Sequence, residues 1–312
     1  MLILNRSEVE SLLDVNALID GLASAFIELS AGRASVPPRV AAFAPGDSGF
    51  LGAMPGYVDG ILEAKLVSVF HGNHSRGLPS HQALICLFDG ETGTPLAVMD
   101  GAHITAMRTA AASALATRTL ARDDVTVLAV LGAGVQGSSH LEMVPRVRAF
   151  EEIRIASRER AHAGALARPK RAIVVDTFEE AVRGAEVVCV CTDSTTPVVD
   201  ASWLSPGTHV TSVGANPRGG ELDGATIRSG LLVVESRAAF QPPPAGAFEL
   251  QGMDPAAAAE LGEVLDGTHP GRTDDAQITV YKSMGHAVED AVAARLVYER
   301  AVATGIGARV DI

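Results

Sequence analysis

The hydrophobic pattern changes period along the chain, and each change predicts a different architecture. Residues 2–4 are apolar and the chain then turns polar, which reads as a short strand followed by a capped helix. Leu12, Leu13, Ala17, Leu18, Leu22 and Phe26 recur at helical spacing within residues 7–32, so one or two helices are expected there. Asp14 is placed to cap a helix start, and Gly32 to stop one. Pro37 and Pro38 break the pattern. Apolar runs at 62–70, 83–88 and 96–99 follow, the last two separated by the turn sequence of residues 89–95, and they predict strands in hairpin, antiparallel order. A long Ala- and Thr-rich helix is expected over 104–120.

From Val125 onwards, short apolar strands alternate with helical stretches. Strands are predicted at 125–131, 153–156, 172–175, 187–192, 209–213 and 231–234. Such alternation builds right-handed βαβ units and a parallel sheet. A third zone holds a strand at 278–281 and a helix at about 285–303, expected to return to the first domain. Residues 241–246, Gln-Pro-Pro-Pro-Ala-Gly, read as a loop. The fold class is therefore α/β: a doubly wound parallel sheet domain plus a smaller α/β domain.

Composition narrows the function. The 312 residues suggest about two domains. Lys and Arg number 25 against 37 Asp and Glu, a formal charge of −12. That repels phosphate backbones and anionic lipid, so nucleic-acid and membrane partners are not expected. The 3 cysteines form neither a disulfide framework nor a zinc spacing, which suits a reducing cytoplasm. No apolar run approaches the roughly 18 residues that span a bilayer, so a soluble intracellular protein is expected. Aromatic residues are only 4%, so elements are expected to pack closely through Gly and Ala.

Gly132-Ala133-Gly134-Val135-Gln136-Gly137 is a complete G-x-G-x-x-G that follows an apolar strand and opens a helix. In that context it predicts a dinucleotide site. Gly132 permits the tight turn, Gly134 lets backbone approach a pyrophosphate, and Gly137 lets the helix pack on the strand. The second strand ends near Ser157-Arg158, where NAD sites usually place an acidic residue on the ribose. A hydroxyl and a guanidinium suit a 2′-phosphate instead. NADP(H) is favoured and NAD(H) remains possible. Arg158 as a solvated helix-start residue is the alternative.

Three cations in the first domain stand in unusual company. Lys65 lies inside Ile-Leu-Glu-Ala-Lys-Leu-Val, and Arg108 among Ile104, Ala111 and Leu115. A buried cation needs an anionic partner, so each is either paired internally or holds a ligand; a water-facing edge strand is the alternative for Lys65. Arg39 begins an extended segment after two prolines. Together they suit a clamp for a small carboxylate substrate, and a buried Lys65 with lowered pKa can exchange a proton with it. Other candidates read more plainly. Cys189 and Cys191 fit a buried strand. His71 and His74 lack a third ligand, so no metal is expected. Glu221 is expected to cap or pair locally, Asp290 to pair with an Arg, and His286 to start a helix or reach toward substrate.

The chain resembles the ornithine cyclodeaminase/mu-crystallin family over nearly its whole length. The likeness is carried by residues 77–117 (GLPSHQALICLFDGETGTPLAVMDGAHITAMRTAAASALAT), by VLGAGVQG with Gln136, by residues 213–223 (VGANPRGGELD) and by residues 278–298 (ITVYKSMGHAVEDAVAARLVY). The resemblance implies a Rossmann domain, residues 121–289, and a dimerising substrate domain from both chain ends, residues 1–120 and 290–312. It implies a nicotinamide coenzyme at the cleft between them and a homodimer. It places Arg39, Lys65 and Arg108 at the substrate carboxylate. It implies cofactor contacts from Ser80, His81, Arg108, Thr109, Gly132, Gly134, Gln136, Gly137, Ser157, Arg158, Thr192, Val213, Gly214 and Ser283. Cyclodeaminases carry an Asp, acting on water and ammonia, where this chain has Asn216, and an amide is no base at neutral pH. With Asn216 and Lys65 as the catalytic positions, the expected activity is hydride transfer at the C–N bond of a small imino or amino acid. Ornithine cyclodeamination, with NAD, is the alternative, and a non-catalytic coenzyme-binding protein is a third.

Overall fold

The computed structural model of the protein describes residues 1–311, apart from the side chains of Asp47, His71 and His74, so the expectation about the two histidines lies outside the described residues. In chain order the elements are β1 (Leu2–Leu4), α1 (Arg6–Leu12), α2 (Val15–Ser30), β2 (Val40–Phe43), β3 (Phe50–Val58), β4 (Ile61–Val69), β5 (His81–Asp89), β6 (Pro95–Asp100) and α3 (Gly101–Leu120). Then follow β7 (Val127–Leu131), α4 (Val135–Met143), β8 (Glu152–Ala156), α5 (Arg160–Lys170), β9 (Ile173–Val174), α6 (Phe178–Val182), β10 (Val187–Val190) and β11 (His209–Ser212). The chain ends with α7 (Gly224–Ile227), β12 (Leu231–Val234), β13 (Ala258–Glu260), α8 (Leu261–Leu265), β14 (Thr279–Lys282), α9 (Ala287–Thr304) and β15 (Ala308–Arg309).

Two compact units result, Met1–Arg108 with His286–Ile312, and Thr109–Gly285. The sequence reading put the divisions at 120/121 and 289/290. In the structure they lie inside α3 and just ahead of α9, because a helix end marks where hydrogen bonding changes, not where the packing partner changes.

In the first unit the described residues form a seven-stranded sheet of order β15-β1-β6-β5-β4-β3-β2. The run from β2 to β6 is antiparallel, as hairpin order requires, but β1 lies parallel to β6 and antiparallel to β15, so the sheet is mixed. Asp14 caps α2 by accepting from Asn16 and Ala17 N–H groups. Small residues set the packing, as the scarcity of aromatics implied. A Cβ on Gly21 would come within 2.8 Å of Val292 on α9, and one on Gly56 within 2.8 Å of Ala287. Strands β2 and β3 were not anticipated, because Gly52, Pro55 and Gly56 disguise β3. Pro55 is tolerated because β2 pairs only with Phe50–Ala53 and ends before it.

In the second unit an eight-stranded, wholly parallel sheet has the order β13-β12-β14-β11-β10-β7-β8-β9. The chain winds from β7 through β8 to β9, crosses to β10 on the other side of β7, and continues outward. The switch point therefore falls between β7 and β10. Strand β14, read from sequence as a separate third zone, inserts between β11 and β12. Cys189 is fully buried and Cys191 is 8% exposed on or just past β10, as core residues. Among the described residues no helix is long and apolar enough to cross a membrane, and no group of three or more His, Cys, Asp or Glu side chains is placed to hold a metal ion.

Candidate functional site

The glycine elbow sits at the carboxyl end of β7, at the switch point where open parallel sheets bind ligands. Gly132 has φ +107, and a Cβ there would lie 2.4 Å from the Cys191 carbonyl oxygen. A Cβ on Gly137 would lie 2.1 Å from the Gly132 oxygen. Both positions are closed by backbone. Gly134, which starts α4, differs: nothing lies within 4 Å of its would-be Cβ. Its backbone faces open space at a helix N-terminus, where an anion is favoured. The side-chain carbonyl of Gln136 is buried without a hydrogen-bond partner. Past β8, a cavity of about 250 Å³ is lined by Ala156, Ser157, Arg158, Asp176, Thr177 and Phe178. These features fit a dinucleotide: a pyrophosphate over Gly134 and a ribose beside Ser157 and Arg158.

Buried polar groups brace the elbow from behind. His140 on α4 bonds the Gln136 backbone carbonyl through Nδ1 (2.8 Å) and Ser113 Oγ on α3 through Nε2 (2.9 Å), and Thr211 on β11 donates to the same Ser113 hydroxyl (2.8 Å). Burial pushes the His140 imidazole down to about 4, so it is neutral.

The loops after β10 and β11 are held by one carboxylate. Glu221 accepts from Thr192 N and Oγ1, from Ser212 Oγ and from Gly214 N at 2.6–2.8 Å. Burial raises its pKa above the ordinary value, although Lys282 and these donors pull it down. Lys282, fully buried on β14, donates to Ser212 Oγ, to the Gly214 carbonyl (2.6 Å) and to Glu249 (3.1 Å). Val213, Gly214 and Thr192 are thus fixed in place. Asn216 is used on both sides: its amide donates to Asp193 Oδ1 (3.2 Å) and its oxygen accepts from Arg218 N (3.0 Å). Ser283 donates to Glu235 (2.5 Å), which also accepts from Met284 and Gly285 N–H groups. Thr109 is buried at the start of the second unit's part of α3.

The first unit gathers charge in its interior. Lys65 on β4 is 1% exposed and Arg108 is 3% exposed, so the water-facing alternative for Lys65 is excluded. Both meet Asp290 in the first turn of α9: Lys65 Nζ at 2.7 Å and Arg108 Nε at 3.0 Å. Arg108 Nη1 also reaches Glu289 at 2.9 Å. Burial opposes ionisation of Asp290, but Arg108 and Lys65 outweigh it and hold the acid below the ordinary carboxylate range. Burial, helped by Arg108, pushes the Lys65 ammonium down to about 8, with Asp290 and Glu63 opposing. Arg39 precedes Val40, which pairs with Ala53. Arg39 itself is half-buried just outside β2. Ser80 Oγ and His81 Nδ1 are 3.0 Å apart at the start of β5. His286 caps α9, with its N–H donating to Glu289 (2.9 Å) in a capping box.

Glu63, Glu289, Glu235, Glu249 and Lys282 carry no motif that marks them in the sequence. Parity was the available signal for Glu63, since Ile61, Glu63 and Lys65 alternate onto one face of an apolar strand. An acidic residue inside such a face raises the same question as a lysine.

A glycine elbow at the switch point of a parallel sheet defines a Rossmann-type, doubly wound protein. The chain belongs to the ornithine cyclodeaminase/mu-crystallin family, whose profile matches residues 1–305. It is 43% identical over 256 residues to ketimine reductase mu-crystallin of Mus musculus, covering 80% of each chain. Its structure superimposes on the Thermococcus litoralis Δ1-pyrroline-2-carboxylate reductase, solved with NADH and L-proline, with a TM-score of 0.93, 36% identity and coverage of 99% and 100%. An archaeal alanine dehydrogenase dimer with bound NAD gives 0.89, 32% identity and coverage of 100% and 99%.

Proposed function

We propose that this protein is an NADP(H)-dependent oxidoreductase that transfers hydride at the C–N bond of a small cyclic imino acid or an amino acid. The observation that carries this reading is the buried pair Lys65 and Arg108, joined by Asp290. Cations are held at the inward face of β4 and in the middle of α3 at a desolvation cost of several kcal/mol each. That expense suits a site built to receive a carboxylate. The relatives and neighbours named above are imino-acid reductases and an amino-acid dehydrogenase, which supports the same chemistry.

When bound, the coenzyme supplies or takes the hydride. The chain's own residues do the rest. Gly134 and the start of α4 receive the pyrophosphate, while Ser157 and Arg158 hold a 2′-phosphate. Glu221, Lys282 and Glu235 keep Thr192, Gly214 and Ser283 rigid along the coenzyme. Arg39, Lys65 and Arg108 grip the substrate carboxylate, and Lys65 gives a proton to the substrate nitrogen in reduction or takes one in oxidation. Its depressed pKa places that exchange near neutrality. Asn216 steadies its loop, and as an amide it cannot activate water.

Homodimerisation fits one surface. Val40, Leu66 and Leu84, each at least 37% exposed, line up with Ala53 in a single row across β2, β3, β4 and β5, with Leu51 beside them. A second copy of the same face suits this apolar patch. Three free cysteines suit the cytoplasm.

The test is NADPH oxidation with Δ1-pyrroline-2-carboxylate and its six-membered homologue. Turnover is expected with NADPH, more weakly with NADH. Conversion of ornithine to proline and ammonia without net coenzyme use is the outcome that replaces this reading by cyclodeamination.

A further inference from the structure

Glu63 has no role in the scheme above, yet its setting is unusual. It lies on β4, two residues before Lys65 on the same inward face, about 6.6 Å along the strand. The residue is 1% exposed, and both carboxyl oxygens lack a hydrogen-bond partner. Its head occupies a gap left by the missing side chain of Gly56 on β3: a Cβ there would stand 3.3 Å from Glu63 Oε1 and 2.8 Å from Ala287 on α9. The charged groups around it are Lys65 on its own strand, Arg108 on α3, Asp290 and Glu289 on α9, and the Cys86 thiol on β5. Lys65 and Arg108 are already matched by Asp290 and Glu289. With no hydrogen bond to either oxygen and Asp290 close by, a carboxylate at Glu63 itself would be unsolvated, whereas a neutral acid is tolerated there. Burial, with the nearby Asp290, accordingly raises the Glu63 carboxyl well above its ordinary value.

We propose that Glu63 is the proton store of this site, a positioning residue that acts through Lys65. The inference rests on the proposed imine reduction. Hydride from the reduced nicotinamide adds to the imine carbon, and the C=N π pair moves onto nitrogen. The Lys65 ammonium gives that nitrogen a proton and becomes a neutral amine. Once neutral, Lys65 Nζ is released from Asp290 and turns toward Glu63 on the same face, whose carboxyl proton it takes, leaving a carboxylate beside a restored ammonium. Water returns a proton to Glu63 as product leaves. The net reaction consumes one imine, one reduced coenzyme and one proton, and yields one amine and one oxidised coenzyme. Reversed, the same path accepts the proton released on amine oxidation.

The experiment uses the full chain and Glu63→Gln, which keeps size and shape but holds no transferable proton. Glu63→Leu serves as a second variant, because replacing an unsatisfied buried carboxyl by an apolar group is tolerated in folding. The expected result is a fall in kcat for imine reduction of at least about tenfold, with KM within about twofold. The basic limb of the kcat–pH profile should move to lower pH, and NADPH titration and Tm should be unchanged. Difference infrared spectroscopy, wild type minus Glu63→Gln at pH 7, should show the band of a protonated carboxylic acid whether or not substrate is present. Absence of that band overturns the proposal on its own. Wild-type turnover with both variants matching it in kcat and pH profile also overturns it, and leaves the proposed activity standing. A wild type inert to every imine sinks the proposed activity and the relay together, whatever the band shows.

Discussion

At the scale of single residues, the informative ones are those whose chemistry contradicts their neighbours. Lys65 and Arg108 stood out in the sequence because cations inside apolar runs need an explanation, and the structure supplies Asp290 for both. Glu63 and Glu289 did not stand out, because glutamate is common on solvent-facing positions and only their register turns them inward. Arg158 tests the coenzyme assignment. It is exposed at the rim of the cavity beyond β8, with Ser157 beside it. Arg158→Asp should weaken NADPH binding by about tenfold or more, consistent with a charge-assisted contact of 1.5–3 kcal/mol. NADH binding should change little, as read by fluorescence titration. Equal loss for both coenzymes contradicts the assignment.

At the scale of elements, the parallel strands and α3 were legible because each carries a continuous apolar signature. The second unit's expected strands lie within a few residues of their observed positions, but the three-residue edge strand β13 is not anticipated, because Ala258-Ala259-Glu260 carries no apolar run. Strand β3 was hidden because its Pro55 and two glycines mimic a loop, and only the short length of β2 makes that proline harmless. The place of β14 inside the sheet was not legible, since local pattern says nothing about which strands become neighbours. The glycine elbow offers a paired prediction. Gly134→Ala meets nothing within 4 Å and should leave Tm unchanged while weakening coenzyme binding by tenfold or more, about 1.4 kcal/mol. Gly137→Val presses a side chain onto the Gly132 carbonyl and should lower Tm as well as abolish binding. Thermal melts with and without NADPH separate the two. A Gly134→Ala enzyme that binds coenzyme normally excludes a pyrophosphate at this turn.

For the whole molecule, acid stability and assembly follow from buried groups and exposed ones. Burial holds His140 down to about 4, and burial with the charges of Arg272 and Arg148 holds His209 down to about 3. Both are depressed below the unfolded value of about 6.5, so the unfolded chain binds more protons. Their stabilising effect is complete above pH 6.5, declines progressively below it, and is fully lost once pH has fallen through 4 for His140 and 3 for His209. By pH 4 each should have removed about 3 kcal/mol. Denaturant titrations at pH 7 and pH 4 check this, and a His140→Gln, His209→Gln variant should show a flatter dependence. An unchanged slope in that variant contradicts the assignment. Assembly is tested by Leu66→Glu with Leu84→Glu, which charges the exposed row across β2 to β5. If this face carries the proposed dimer, light scattering should report a dimer for the wild type and a monomer for the variant. A variant that stays dimeric moves the interface elsewhere.

The first unit is closed by the last long helix. Its β-strands and the lysine and arginine they bury leave the ribosome early, but Asp290 and Glu289 emerge only with α9, after the whole second unit has been made. Domains usually fold in the order of synthesis. Here the N-terminal half must wait as an open sheet with unneutralised cations while the later half is already complete. A chain ending before Ala287 therefore carries every strand of the parallel sheet but lacks the helix that supplies Asp290 and Glu289 to the first unit.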